Sequence, residues 1–442
     1  MAITAIDTEP AFVTLGYQQL VIVCTSDDYD EAKFRYVFDI YVDGTKVSRV
    51  RTSNNPSNKG IIDVAPIIQS YLEPTYYSVA VPAKEVHRIP DDTGSTKIIS
   101  KNTSTLIRVQ VRVGQEYAAS ATAAPGTPTF DSGDYVTFDT LLGSHQFNEG
   151  LDWNFLPKIL DDSTDKFLSN APTTQDITTA DFHTMALFNG QLWNEGSANP
   201  SEFGNYNINY YTAADVFIRG FNITNNTTNG GDAYGSVPEG DPNADKMMFI
   251  GVGYQNLEKS SNSVVPALDK PSAQANLAYY TVGVKAGGTA RSELLRFNIV
   301  DADCVYPLMR LTWLNRYGAW DYFNFSKRST RMLQITRDEY TKQFGTWAGT
   351  TYSYAKWERG RKAFNIQAKE QVVINTDYIS EANAAWLEEL LTSPDVYLMD
   401  TDNSKPIIIT NSSYAIKTVT NDKLIQYTIT FEYAHGRRLQ TN

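Results

Sequence analysis

The chain has 442 residues, of which 42% are apolar, 20% charged and 12% aromatic, and its formal net charge at pH 7 is -12. Aromatic residues favour strands, and an acidic chain lacks the basic face that nucleic acids and anionic membranes attract. Two cysteines and four scattered histidines exclude a disulfide framework and a four-cysteine zinc site.

The length suits about two to four domains, and the first lobe, residues 1–120, is predicted to be β-sandwich-like. Two alternating strand patterns flank Asp43-Gly44. This dipeptide predicts a hairpin with a type I′ turn, because both turn residues must adopt positive φ. Residues 61–72 predict a short helix with Asp63 as its N-terminal cap.

The middle lobe, residues 121–290, is rich in Gly, Asn and Thr, and short strand patterns interrupt its polar stretches. It is predicted to be a β insertion with long loops, which in compact proteins are usually functional or mobile. Its aromatic residues Trp193, Tyr210 and Tyr211 would stack on sugars if they were exposed. Core packing or an interface is the commoner role for such residues.

The third lobe, residues 291–442, is predicted to be a β domain with one helix near 380–392. Ser380 is a capping residue, and the following apolar residues keep helical spacing. Those residues are Ala384, Leu387, Leu390 and Leu391. The sequence as a whole predicts a mainly β fold with a few short helices, in a multi-domain β-sandwich or β-barrel architecture.

Catalytic and cofactor-binding motifs are missing from the sequence. No GxSxG, HExxH or P-loop occurs, and Gly251-Val252-Gly253 lacks the third glycine of a dinucleotide fingerprint. A glycine-containing strand is the better interpretation of that segment. We therefore expect no enzyme activity, no catalytic residue and no cofactor.

The acidic segments are candidates for metal binding and for acid–base catalysis. Residues 400–404 resemble the start of a calcium loop, but Lys405 replaces the glycine of the sharp turn. A polar hairpin loop is the preferred interpretation. The runs at 27–31 and at Asp161, Asp162 and Asp165 could serve in acid–base catalysis if burial separated their pKa values, but solvated loops are the preferred interpretation. No metal site is expected.

The densest aromatic cluster lies at 317–325, with oppositely charged residues close behind it. Two interpretations stay open, a sheet core and a subunit interface, since Tyr and Trp are enriched in buried contacts between chains. The interface candidates are Trp313, Tyr317, Trp320, Tyr322, Phe323 and Phe325.

The hairpin LTWLNRYGAWD at 311–321 resembles one that recurs in virion structural proteins of tailed bacteriophages. The same holds for the Asp-Gly hairpin that leads through a loop to GIIDV at 60–64, and for the stretch from Trp386 to Glu432. The resemblance implies a tail, baseplate or neck component present in several copies around the tail axis. It supplies no catalytic residue and does not include the middle lobe.

The first hypothesis is a non-enzymatic virion protein that forms a ring, located in the tail or neck and assembled in the host bacterial cytoplasm. Its expected partners are copies of itself and other tail or neck proteins, without nucleic acid or membrane. Residues 371–374 and 424–431 are candidates for strand addition between chains if they lie at sheet edges.

Two alternatives stay open. The first is a glycan-binding or glycan-cleaving receptor-binding protein of the tail, with its site in the middle lobe. The second is a secreted bacterial surface protein with immunoglobulin-like domains. The N-terminus shows no basic region followed by an apolar run, which weighs against export.

Overall fold

The computed structural model describes residues 3–78, 84–90, 95–131, 133–146, 153–160, 162–188, 203–229, 246–301, 306–343, 345–348, 350–358, 360–400, 403–411 and 425–436. It is mainly β, with several separate sheets and a few short helices, which confirms the predicted fold class and is consistent with a multi-domain β-sandwich architecture. The α-helices are α1 (Ala65–Ile68), α2 (Tyr254–Lys259) and α3 (Glu381–Thr392).

The chain divides into two compact units. Unit 1 comprises Met1–Asp301 with Leu314–Asp321, and unit 2 comprises Ala302–Trp313 with Tyr322–Asn442. These units do not coincide with the three predicted lobes, because strands pair across both predicted boundaries, at 120 and at 290. No helix in the described part of the chain has the length and apolar character to cross a membrane.

A five-stranded sheet of unit 1 has the order β2-β9-β8-β4-β5. Its strands are β2 (Val13–Tyr17), β4 (Arg35–Val42), β5 (Thr45–Thr52), β8 (Leu106–Glu116) and β9 (Tyr135–Ser144). The predicted hairpin is confirmed, since Asp43 and Gly44 join β4 to β5 with φ of 48° and 75°. Strand β9 pairs with β8 across residue 120.

A three-stranded sheet of unit 1 has the order β1-β3-β6. Its strands are β1 (Ala5–Thr8), β3 (Val21–Thr25) and β6 (Lys59–Asp63). The predicted helix over 61–72 is wrong in its first part, because Ile61 and Ile62 pair with β3 and α1 begins only at Ala65. The prediction of Asp63 as the cap is also wrong, because Asp63 ends β6 and Val64 is the N-terminal cap of α1, although the Asp63 Oδ1 accepts the Ala65 N–H at 3.0 Å.

Two further sheets of unit 1 share a large core. The first has the order β11-β14-β7, and the second has the order β10-β17-β15-β12-β13, with β16 added on β15. Their strands are β7 (Ile99–Lys101), β10 (Thr174–Ile177), β11 (Thr184–Phe188), β12 (Asn205–Tyr211), β13 (Phe217–Thr224), β14 (Met247–Gly251), β15 (Tyr279–Ala286), β16 (Thr289–Ala290) and β17 (Leu295–Ile299). Phe167, Tyr206, Tyr280 and Phe297 lie at the centre of that core.

Unit 2 contains a seven-stranded sheet of the order β19-β18-β24-β25-β26-β23-β20, and a separate β21-β22 pair. The strands, of which Leu314, Trp320 and Asp321 are assigned to unit 1, are β18 (Met309–Leu314), β19 (Trp320–Phe325), β20 (Thr330–Thr341), β21 (Thr346–Ala348), β22 (Thr351–Ser353), β23 (Arg361–Asn375), β24 (Val396–Met399), β25 (Ser404–Ile409) and β26 (Thr428–Tyr433).

Helix α3 confirms the prediction near 380–392. The Ser380 side chain accepts the backbone N–H of Asn383 at 3.2 Å, which satisfies one of the free donors at the helix start. The apolar stripe faces inward, with Ala384, Leu387 and Leu390 buried and Leu391 partly buried.

Candidate interaction surface

Strands β20 and β23 form a hairpin that outruns the rest of the unit 2 sheet. They pair antiparallel from Thr330 opposite Val373 to Thr341 opposite Arg361. Strand β26 covers the other side of β23 only over Gln371–Asn375. In the described part of the chain, residues 333–341 and 361–370 therefore form a two-stranded ribbon, which we call the arm.

Every residue of β20 is exposed. Eight of the 24 large apolar residues exposed in the described chain lie between residues 330 and 364. They are Met332, Leu333, Ile335, Tyr340, Tyr352, Tyr354, Trp357 and Phe364. Apolar patches of this kind mark interaction surfaces in soluble proteins.

Successive side chains of a strand point to opposite sides, so the face of the arm that carries Leu333 and Ile335 also carries the charged Arg337 and Glu370. Leu333 and Ile335 are 43% and 42% exposed, and Ile366 and Ala368 lie on the same face. The opposite face carries polar residues, among them Gln334, Thr336, Gln367 and Lys369. A two-stranded ribbon is marginally stable without cover for its apolar side chains.

Cross-strand contacts hold the two strands of the arm in register. Arg331 and Glu370 form an ion pair that raises the pKa of the guanidinium, and Arg361 pairs with Glu339. Because exposed ion pairs contribute little to stability, they specify geometry more than they stabilise the arm.

The outer edge of β20 has only part of the usual protection against strand addition, namely a register irregularity and charged residues toward one end. Natural edge strands are commonly short, or carry Pro, inward-pointing charges, Lys or a bulge. Strand β20 has 12 residues with neither Pro nor Lys, and its register irregularity with β23 lies at Asp338 and Glu339. In the described chain β20 pairs only with β23.

The strands proposed for addition between chains are not at sheet edges. Residues 371–374 lie in β23, between β26 and β20, and residues 428–431 lie in β26, between β25 and β23. Residue 424 lies outside the described residues. Strand addition is expected only if these residues lie at sheet edges. They do not, because both strands already have neighbours on each side.

Among the predicted interface residues, those of unit 2 mostly pack inside the chain. Trp313, Tyr322 and Phe325 are buried, and Phe323 is partly buried. The Trp313 and Trp386 rings lie 5.0 Å apart, and Phe323 contacts Trp386 edge-on. Their positions favour the sheet-core interpretation.

The remaining two candidates, Tyr317 and Trp320, are buried in unit 1. The Tyr317 ring stacks on Trp153 with centroids 5.6 Å apart. The Trp320 indole donates its Nε1–H to the carbonyl of Thr75 at 2.9 Å. Neither side chain presents a free surface.

The weak motifs have structural explanations. Gly251 ends strand β14 and Gly253 precedes α2, where a Cβ would lie 2.3 Å from Ile89 O and from His183 N, respectively. The segment is thus a glycine-containing strand that runs into a short helix. Close backbone approach explains both glycines, with no ligand required.

The acidic segments form turns. Met399 pairs with Ser404 across the β24–β25 hairpin, and Asp400 pairs with Lys405, which confirms the hairpin loop. Within the described residues, no three His, Cys, Asp or Glu side chains are placed to hold a metal ion. Asp161, Trp193 and Cys304 lie outside the described residues.

Comparisons with known proteins add little. No family model and no curated protein matches the chain. Among solved structures, a marsupial T cell receptor is similar at 11% sequence identity and a TM-score of 0.16, over 82% of this chain and 93% of the receptor chain. At that TM-score the likeness does not establish a shared fold.

Proposed function

We propose that the protein is a non-enzymatic structural component of a tailed-bacteriophage virion that assembles in several copies into a ring of the tail, baseplate or head–tail neck. The observation that carries the assembly role is the bare apolar arm. The phage setting rests on the sequence resemblance of the hairpin at 311–321, of the Asp-Gly hairpin leading to GIIDV at 60–64, and of the stretch from Trp386 to Glu432.

The arm supports assembly because its exposed apolar side chains do not stabilise a monomer. Burying apolar surface stabilises by roughly 25 cal/mol per Å², and Leu333, Ile335 and Phe364 are all exposed on an extended ribbon. The net charge of -12 fits partners that are proteins, so neither nucleic acid nor membrane is proposed.

The mass of the purified full-length chain in solution tests this proposal. We expect multimers by analytical ultracentrifugation and rings by electron microscopy, and we expect the chain to be incorporated when virion particles assemble. The variant Leu333→Asn/Ile335→Asn should lower the multimer fraction. A matched variant on the polar face of the same strand, Gln334→Asn/Thr336→Asn, should not.

A stable monomer that no virion particle incorporates would rule the proposal out. The genes next to the coding sequence give an independent check, because terminase, portal or tape-measure genes would fix the class of protein.

Glycan binding by a tail-associated protein is the second candidate. Val216 and Phe217, at the start of edge strand β13, are more than half exposed. Phe217 contacts Tyr211, which stacks on Tyr279 with centroids 4.9 Å apart. Tyr210 is excluded from such a surface because it is buried and donates to Asp269 O.

A glycan array combined with an assay of reducing-sugar release separates the two candidates. Binding that Phe217→Ala abolishes would favour a receptor-binding protein. Turnover that a single carboxylate substitution abolishes would favour an enzyme. Neither signal is expected from a purely structural ring component.

A further inference from the structure

We propose that β20 pairs antiparallel with β20 of a second copy of this chain, with Ile335 of the two copies directly opposite each other. The inference rests on the assembly role proposed above and specifies one of its contacts. It follows from the direction of the backbone groups, from the charge pattern of the strand and from its apolar side chains.

The backbone determines which residues can form edge hydrogen bonds. Lys342, directly after β20, donates its N–H to Gly360 O on the β23 side at 2.7 Å. Because backbone groups alternate in direction along a strand, the N–H and C=O groups of the even-numbered residues of β20 point toward β23. The N–H and C=O groups of odd-numbered residues, such as Leu333, Ile335 and Arg337, then point to the outer edge, where no strand of the described residues pairs with β20.

Two identical strands related by a two-fold axis at one residue pair symmetrically about it. With residue 335 on the axis, residue 334 lies opposite 336 and residue 333 lies opposite 337. Side chains of directly opposed residues share a face of the sheet. With Ile335 on the axis, Arg331 lies opposite Glu339 of the other copy, and this pairing occurs twice. Met332 then lies opposite Asp338, and Leu333 opposite Arg337.

Neighbouring registers are less favourable. With Gln334 on the axis, Arg331 lies opposite Arg337 twice, and like charges directly opposed destabilise a sheet. With Thr336 on the axis, Arg331 lies opposite Thr341 and has no directly opposed carboxylate. The charges of β20 are therefore self-complementary when Ile335 is central.

The same register joins the apolar side chains of the two arms. Leu333 and Ile335 of each copy become neighbours in one continuous sheet, with Ile366 and Ala368 on the same face of each arm. The strand that pairs with the edge of β20 is thus β20 of a second copy of this chain. A two-fold contact closes on itself and builds pairs, so a ring needs a second, different surface.

Cysteine cross-linking of the full-length chain tests the register. In Ile335→Cys the two Cα atoms would lie about 5.5 Å apart, within reach of a disulfide. In the matched variant Thr341→Cys, on the same strand and face, they would lie about 40 Å apart at about 3.4 Å per residue. We expect a covalent dimer for Ile335→Cys and not for Thr341→Cys. The wild type shows how much cross-linking the native cysteines produce.

A charge variant provides the second measurement. Ile335→Lys places two ammonium groups against each other and should raise the dimer dissociation constant by about tenfold or more. Thr341→Lys, which adds the same charge away from the axis, should leave it unchanged. Unfolding temperatures measured in parallel show that both variants fold.

Wild-type multimers without an Ile335→Cys dimer would overturn the β20 pairing and leave ring assembly standing. Equal cross-linking of the two cysteine variants, or an Ile335→Cys cross-link to a different virion protein, would also overturn it. A wild-type chain that stays monomeric at the same concentration contradicts the proposed function itself.

Discussion

His87 packs edge-on against the indole of Trp320, with the two ring centroids 4.7 Å apart. The imidazole is fully buried, and burial, together with the nearby charge of Arg88, lowers its pKa to about 3. In the native protein His87 is therefore neutral over most of the acid range, and it serves as an aromatic element of the core of unit 1.

This burial predicts acid sensitivity. An unfolded histidine has a pKa of about 6.5, so between pH 6.5 and about 3 the unfolded chain binds a proton that the native chain does not. The stabilisation by neutral His87 is complete above pH 6.5, and falls by up to about 1.4 kcal/mol per pH unit as the pH drops. His87→Gln should flatten the dependence of the unfolding free energy on pH between 6.5 and 5.

The exposed His435 supplies the control for that measurement. His435→Gln should keep the slope of the wild type in urea titrations at successive pH values. Identical slopes for His87→Gln and the wild type would show that His87 does not carry this acid sensitivity.

Cys24 is predicted to be unreactive in the native protein. Burial raises the pKa of its thiol to about 12, and the thiolate is the form that reacts. Iodoacetamide at pH 8 should leave the Cys24 peptide unmodified in buffer and alkylate it fully in urea, as read by mass spectrometry. Equally fast labelling under both conditions would contradict the buried position.

Features defined by local chemistry were predictable from the sequence. The turn at Asp43-Gly44 needs only two residues that accept positive φ, and α3 needs only Ser380 and a helical stripe. The helix proposed over 61–72 began too early because its first residues pair with β3. That partner lies about 40 residues away in the chain and leaves no trace in the local pattern.

The arm was missed for the same reason. Its strand alternates, with Leu333 and Ile335 followed by Gln334 and Thr336, respectively, and this signal is present in the sequence. The arm is exposed because ten residues of β23, 361–370, extend beyond the segment that pairs with β26. How far one strand extends beyond its neighbour depends on the register of the whole sheet, which the local sequence pattern does not contain.

Asn256 is predicted to be a main determinant of stability in unit 1. Its fully buried amide accepts the His183 N–H at 2.8 Å and donates to Ile89 O at 2.8 Å. Asn256→Ala leaves both backbone groups buried without this partner, which should cost about 2–4 kcal/mol. In urea unfolding its midpoint should fall well below that of the exposed control Asn54→Ala. Equal midpoints would contradict this assignment.

Trp313 separates the two interpretations of the aromatic cluster, a sheet core and a subunit interface. Its side chain is fully buried, 5.0 Å from Trp386 in unit 2, so Trp313→Ala should cost about 3–5 kcal/mol of folding free energy and lower the unfolding temperature. Protein that remains folded should keep the wild-type mass in solution, because the substitution leaves the arm intact. Ile335→Lys should behave in the opposite way, changing association and leaving the unfolding temperature of the dissociated chain unaltered. Scanning fluorimetry and light scattering on both variants give the comparison. If Trp313→Ala kept the wild-type unfolding temperature and lost its multimers, Trp313 would belong to an interface.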